Sequence, residues 1–194
     1  MGMSDPACSA TCAPTSGGGT APTFLFTFDS DIQNWKLYQA SPTSLASGTM
    51  LTFDAQNGDV SPGVLKVVSP FNANNQKIDF QVGMTTTLDL RGKTLKARVR
   101  LASGLSTDPA HPGGIKLFAK SGQNYDYASG MWTNLTPGGG WQDVTFVGDA
   151  PILIPGTFSA GEVREIGFEL RTFNESMDNS AVQAATVFVD SISF

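Results

Sequence analysis

The stretch TLKARVRL, residues 94–101, alternates aliphatic and cationic side chains with period two. Only an extended strand sends successive side chains to opposite faces, so Ala97, Val99 and Leu101 point to one side and Lys96, Arg98 and Arg100 to the other. The same alternation recurs in both directions along the chain. Upstream lie FLFTF at 24–28, GVLKVV at 63–68 and KIDFQV at 77–82. Downstream lie GIKLFAK at 114–120, DVTFV at 143–147, VREIGFELRTF at 163–173 and ATVFVDSISF at 185–194, separated by Gly, Pro and Asn clusters such as TPGGG. No segment offers a convincing amphipathic helix. About ten short strands at this spacing predict an all-β fold, an antiparallel β-sandwich of jelly-roll type, because each sheet must bury one face against another.

The alternation also assigns faces. Ile115, Leu117, Ile166, Phe168 and Leu170 join the inward set, whereas Lys116, Phe118, Lys120, Gly167, Glu169 and Arg171 stand on the opposite face. That second face carries long hydrogen-bonding side chains and one ring, as expected of a surface open to solvent or presented to a ligand.

The sandwich is expected to occupy residues 23–194. Residues 1–22 are rich in Gly, Ser, Thr, Pro and Ala without periodicity, the composition of a flexible tether that buries too little apolar surface to order itself. Both cysteines, Cys8 and Cys12, fall in this tail and so cannot staple the core. They are open to pairing with each other, to standing idle, or to marking a processed lipoprotein start. The opening MGMSDP lacks the basic and apolar regions of an export signal and reads as a start added in cloning, which is compatible with a signal removed upstream. No apolar run approaches the roughly eighteen residues of a membrane-spanning helix.

Seventeen acidic residues against twelve basic give a net charge of −5, which argues against nucleic acid as a partner, because that affinity comes largely from clustered Lys and Arg. Enzyme signatures are also wanting. There is no G-x-S-x-G elbow, and Thr87 stands where a phosphate-binding loop ending in Gly92, Lys93 and Thr94 needs a glycine. The sole histidine, His111, sits in the loop-like DPAHPGG, so neither a nucleophilic triad nor a zinc site has its ligands. Two chemistries need less. Glycoside hydrolysis asks only for paired carboxylates, for which Asp79, Asp126 and Glu169 are available, and a polysaccharide lyase could combine Tyr125 with Arg100 and Gln123. No motif supports either, and a non-catalytic binding role is expected.

The segments FDSDIQNW (28–35), SPGVLKV (61–67), LDLRGKTLKARVRL (88–101), the run from Gly114 to Val147 with its "W" and later "GGW", VREIGFEL (163–170) and ATVFVDSISF (185–194) together resemble a known family. They are similar to the β-jelly-roll carbohydrate-binding modules attached to bacterial mannanases, glucanases and xylanases. The resemblance implies a secreted or cell-surface module that binds a polysaccharide, a neutral β-glucan or mannan before an acidic glycan, as a monomer. It accounts for GQNYDYASGMWTNLTPGGGW at 122–141, where large rings stand among glycines. Sugars have apolar CH faces that flat rings can cover and hydroxyl edges that polar side chains can bond.

Tyr125, Tyr127 and Trp132, placed beside one another across a hairpin, are the expected platform. Arg100, Lys116, Gln123, Glu169 and Arg171 are the expected polar partners. Trp141 is expected to anchor a strand in the core and Trp35 to close the first loop. The resemblance also implies a structural Ca²⁺ joining the first and last strands through Asp29 or Asp31, Asp190 and nearby Asp54. The same exposed rings would serve a protein-binding adhesion module, since Tyr and Trp dominate protein hot spots too.

Overall fold

Every long alternating run of the sequence is a strand in the computed structural model, which describes residues 21–38, 48–152, 156–173 and 179–194. The strands are β1 Phe24–Phe26, β2 Lys36–Tyr38, β3 Met50–Asp54, β4 Val64–Ser69, β5 Lys77–Leu88 and β6 Thr94–Ser106. They continue with β7 Gly114–Ser121, β8 Asp126–Ser129, β9 Thr133–Asn134, β10 Gln142–Val147, β11 Val163–Arg171 and β12 Val182–Ser193. Among the described residues the only helical pieces are two 3₁₀ turns, Ala160–Glu162 and Asn179–Ala181. No helix among the described residues is long and apolar enough to cross a membrane. Most of the expected tail, residues 1–20 with both cysteines, lies outside the described residues.

All strand pairs are antiparallel and form two sheets. The first runs β10-β6-β12-β4-β3, with β1 beside the far end of β12, and the second runs β2-β5-β11-β7-β8, with β9 also on β7. From β4 onward the chain passes back and forth between the sheets, so the two are tied together many times over. This is the sandwich that the alternation predicts. Ala97, Val99, Leu101, Ile115, Leu117, Ile166, Phe168 and Leu170 are all buried between the sheets.

The core is closed at one end by rings. Trp35 is buried against Phe28, Phe80 and Phe168, with centroids 5.5–6.2 Å apart, and Phe80 stacks on Phe168 at 5.1 Å. Such contacts add about 0.5–1.5 kcal/mol each beyond the area they bury. Trp35 therefore has the structural place expected of it. Trp141 does not. It precedes β10 on the outer face of the first sheet, where the Arg100 guanidinium lies 5.0 Å from its ring, because the in-register partner of Gln142 is inward-facing Val99 and the next position faces out.

The chain from Asp126 to Asn134 also differs from the expected hairpin. β8 and β9 do not pair with each other; both lie along the same edge of β7, opposite Phe118–Ser121 and Gly114–Ile115 respectively. The Gly130 amide donates to the Leu117 carbonyl at 2.9 Å and keeps the segment on that edge. Gly130 is required there, since a Cβ would come within 2.3 Å of the Thr145 carbonyl oxygen on β10.

Candidate functional site

The outer face of the second sheet is the candidate binding surface. Tyr127 and Trp132 are an odd number of residues apart, so an unbroken strand would send them to opposite faces. The break between β8 and β9 resets the alternation, and both rings fold over the outward face of β7. Tyr127 packs on Phe118 at 5.3 Å between centroids, and Trp132 lies near the Lys116 ammonium at 4.6 Å. At the other edge Tyr38, on β2, lies 3.9 Å beneath the Lys120 ammonium. Rings thus rim both sides of a strip floored by β5, β11 and β7.

Sequence alternation predicts an open polar face, but the strip is recessed. Lys116 and Glu169 are more than nine-tenths buried and Phe118 is fully covered. The rings of Tyr127 and Trp132 supply part of that cover. The floor is cross-braced by charge. Lys120 donates to Gln81 Oε1 at 2.7 Å and to Glu165 Oε2 at 3.1 Å, and Gln81 Nε2 donates to the same Glu165 oxygen at 2.8 Å. Lys116 pairs with Glu169 at 3.5 Å, and Lys77 reaches Glu169 at 3.6 Å and Asp79 at 3.8 Å.

Burial shapes the titration of these groups. Desolvation pushes the Asp79 carboxyl up to about 6, with the neighbouring Glu169 charge adding to it and Lys77 opposing it. Desolvation lowers Lys116 despite Glu169 and raises the Tyr127 phenol, which the charges of Glu169 and Asp79 push further. Asp79 Oδ1 and the Tyr127 hydroxyl are buried without a well-aligned hydrogen-bond partner. An unpartnered buried polar atom costs about 1–3 kcal/mol, which adds to the electrostatic tension of this face.

Tyr127, Trp132, Lys116, Glu169 and Arg171 are therefore brought together, and the Arg171 guanidinium lies 4.0 Å over the Trp132 ring. Tyr125 and Gln123 are not with them. Both are exposed in the β7–β8 turn, where Tyr125 adopts a positive φ of 56°. Arg100 is on the other sheet, its guanidinium between the rings of Trp141 and Phe188 at 5.0 and 5.1 Å. The lyase trio of Tyr125, Arg100 and Gln123 is consequently split across the molecule. Of the hydrolase trio, Asp79 and Glu169 are cross-strand neighbours sharing Lys77, while Asp126 accepts a bond from Thr157 at 2.9 Å.

Sequence reasoning missed Tyr38, Gln81 and Lys77 as parts of this surface. The signal for Tyr38 was the alternation of Lys36 and Tyr38 about Leu37, too short a run to declare itself a strand, whereas Lys77 and Gln81 alternate with Ile78, Phe80 and Val82 in KIDFQV and could have been placed on the outward face by parity.

The four acids expected to hold calcium do not share one centre. Asp29 accepts from the Thr27 hydroxyl at 2.6 Å and Asp31 from the Gln33 amide at 2.6 Å, both at the surface. Asp54 caps its own turn through Gln56 and Asn57. Only Asp190 is buried, its Oδ2 accepting the Asp59 amide at 2.7 Å and the Val60 amide. Among the described residues no three His, Cys, Asp or Glu side chains cluster as a metal site. Oxygens do gather around Ser61, whose hydroxyl lies 2.8 Å from the Thr27 carbonyl, 3.2 Å from the Gly63 carbonyl and 3.4 Å from Asp190 Oδ1. One hydroxyl proton cannot serve three acceptors, and this surplus of oxygen lone pairs suits a hard cation.

The fold, a sandwich of two antiparallel sheets, is shared with several solved carbohydrate-binding modules. The family 11 module of cellulosomal cellulase Lic26A-Cel5E of Clostridium thermocellum superposes with a TM-score of 0.58 at 10% identity, covering 90% of this chain and 94% of that one. A second structure of a family 11 module from that organism, in complex with a β-1,3-1,4-mixed-linked tetrasaccharide, gives 0.55 at 12% identity over 89% and 94%. A family 28 module specific for non-crystalline cellulose gives 0.56 at 12% identity over 82% and 86%. At these identities the likeness is one of fold. The chain belongs to the mannanase, galactose-binding domain-like family, whose profile matches residues 26–191. No curated protein sequence matches it.

Proposed function

We propose that this chain is a non-catalytic module that binds a polysaccharide along the recessed outer face of the second sheet. The observation that carries the reading is the pairing of rings with charged and hydrogen-bonding side chains on one strip. Tyr127 and Trp132 stand at one edge and Tyr38 at the other, while Gln81, Lys120, Glu165, Lys116 and Glu169 form a polar floor between them. A sugar ring laid on Tyr127 or Tyr38 buries its apolar face against the aromatic ring, and each hydroxyl bonded to a polar side chain of the strip adds about 0.5–1.5 kcal/mol. Summed over several sugar units, such contacts bind a chain with no bond made or broken.

The family and the relatives' ligands support a neutral β-glucan or mannan as the polymer. The role that follows is targeting, in which a secreted or surface-bound monomer holds an attached enzyme at its glycan and raises the local concentration of substrate. Native affinity electrophoresis against mannan, mixed-linkage glucan and xylan tests this, with cleavage assayed on the same samples. Retardation without cleavage is the expected result; cleavage would replace binding by catalysis, and no retardation by any glycan would turn the surface into one for a protein partner.

We also propose a structural calcium ion at the junction of first and last strands, held by Asp190 with the Ser61 hydroxyl and the Thr27 and Gly63 carbonyls. Asp29, Asp31 and Asp54 are left to their local hydrogen bonds. The ion would neutralise the convergent oxygens and tie the loop before β4 to β12.

A further inference from the structure

We propose that the Trp132 end of the groove is a subsite for the carboxylate of a uronic acid, an inference that rests on the groove being the glycan-binding surface. Three of the groove's lysines are matched by acids, Lys120 by Glu165, Lys116 by Glu169, and Lys77 by Asp79 and Glu169, while Lys36 stands exposed at the β2 edge opposite Gln81 and outside the cavity at the Trp132 end. Arg171 is different. Its cross-strand neighbours are Lys77 and Gly114, so no acid stands opposite it, and among the described residues no carboxylate lies within ion-pairing distance of its guanidinium.

The guanidinium lies 4.0 Å over the Trp132 ring. Stacking fixes its plane and leaves its edge, where the N–H donors are, free to meet a carboxylate in bidentate fashion. Gly114 permits this seating, because a Cβ there would stand 3.4 Å from the Trp132 ring and 2.9 Å from the Thr133 carbonyl oxygen. Beside the pair opens a cavity of about 240 Å³ lined by Arg171, Trp132, Asn134, Gly114 and Thr172 among others. It is smaller than the roughly 300–1,000 Å³ of pockets that take a whole drug-sized ligand, and so suits one sugar unit or substituent. A cation unpaired among the described residues and preoriented at a cavity is a device for accepting an acidic sugar unit or side group within an otherwise neutral chain, alongside fully acidic polymers.

The test compares glucuronoxylan, alginate and polygalacturonate with the same polymers after chemical reduction of their carboxyl groups, by affinity electrophoresis at low and high salt. The first bears its acid on side groups and the others in the main chain. For at least one polymer the wild type is expected to bind the native form about tenfold tighter than the reduced form, as for charge-assisted hydrogen bonds, with the gap narrowing in salt. Arg171→Gln should abolish that preference while retaining the wild-type melting temperature, and Arg171→Lys should restore part of it. Equal binding of native and reduced polymers by the wild type, or an undiminished preference in Arg171→Gln, overturns the inference and leaves the groove reading intact if reduced or neutral polymers still bind. Absence of binding to every polymer, charged or neutral, overturns both.

Discussion

The ring of Phe118 lies across Gly167, in the middle of β11, so closely that a Cβ on Gly167 would stand 2.3 Å from Phe118 Cζ and 2.7 Å from the Phe80 carbonyl oxygen. Glycine weakens a strand interior, and its presence here reflects the close approach of a ring to the backbone. Phe118 in turn supports Tyr127. Gly167→Ala should therefore destabilise the fold by about 1–3 kcal/mol through overpacking, and should weaken glycan binding by displacing the Tyr127 ring. Urea unfolding and affinity electrophoresis of the variant check both; a variant as stable as wild type would mean the floor yields freely.

The Tyr127 hydroxyl, buried with no well-aligned hydrogen bond, separates stability from binding. Tyr127→Phe removes an oxygen whose only side-chain hydrogen bond is a poorly aligned one with Ser129, so stability should fall by no more than about 1 kcal/mol. Affinity for the glycan should fall about two- to tenfold, the worth of one hydrogen bond to a sugar hydroxyl. Unchanged affinity would show that the hydroxyl does not meet the ligand.

Burial pushes the Asp79 carboxyl up to about 6, so the folded state holds its proton more tightly than the unfolded chain does. Between about pH 4 and pH 6 the unfolded chain has already released this proton while the folded one retains it, and stability must fall as pH rises through that window. The loss from this group approaches about 3 kcal/mol, in full only above the folded value. Asp79→Asn should flatten this segment of the stability profile, and the variant should gain on wild type as pH rises from 4 to 7. Parallel urea titrations at pH 4, 5, 6 and 7 measure it, and a constant difference between the two proteins would contradict the assignment.

Calcium at Asp190 predicts that EDTA lowers the melting temperature of the wild type and that added Ca²⁺ restores it, because an ion bound only by the folded state stabilises it by mass action. Asp190→Asn should be less stable and insensitive to either reagent. Asp54→Asn should keep the wild-type response. A wild type indifferent to EDTA and Ca²⁺ alike would remove the ion from the account.

The fold was legible because its longest strands write alternation plainly. TLKARVRL, GIKLFAK and VREIGFELR each become β6, β7 and β11 with the expected residues inward. β2, β3, β8 and β9 were not, being only two to five residues long and defined by their partners rather than by pattern. Half of the candidate surface was legible for the same reason: Lys116, Glu169 and Arg171 follow from strand parity. Parity says which face of its own sheet a residue occupies, but not which sheet its strand joins. Arg100 was assigned by face alone and lies on the other sheet, where β6 is flanked by β10 and β12. Trp141 fails for a related reason, since an aromatic next to a strand reads as core until the register shows its direction.

The central claim, that glycan binds the outer face of the second sheet, is tested most directly by comparing Trp132→Ala, Tyr127→Ala and Arg100→Ala for affinity to the best-retarded polysaccharide, with circular dichroism confirming the fold of each. Trp132 and Tyr127 rim the groove whereas Arg100 stacks on the opposite side of the molecule. The account predicts losses of about tenfold or more for the two aromatic variants, and wild-type affinity for Arg100→Ala. Undiminished binding in both aromatic variants, with a loss confined to Arg100→Ala, would place the glycan on the first sheet and contradict the claim.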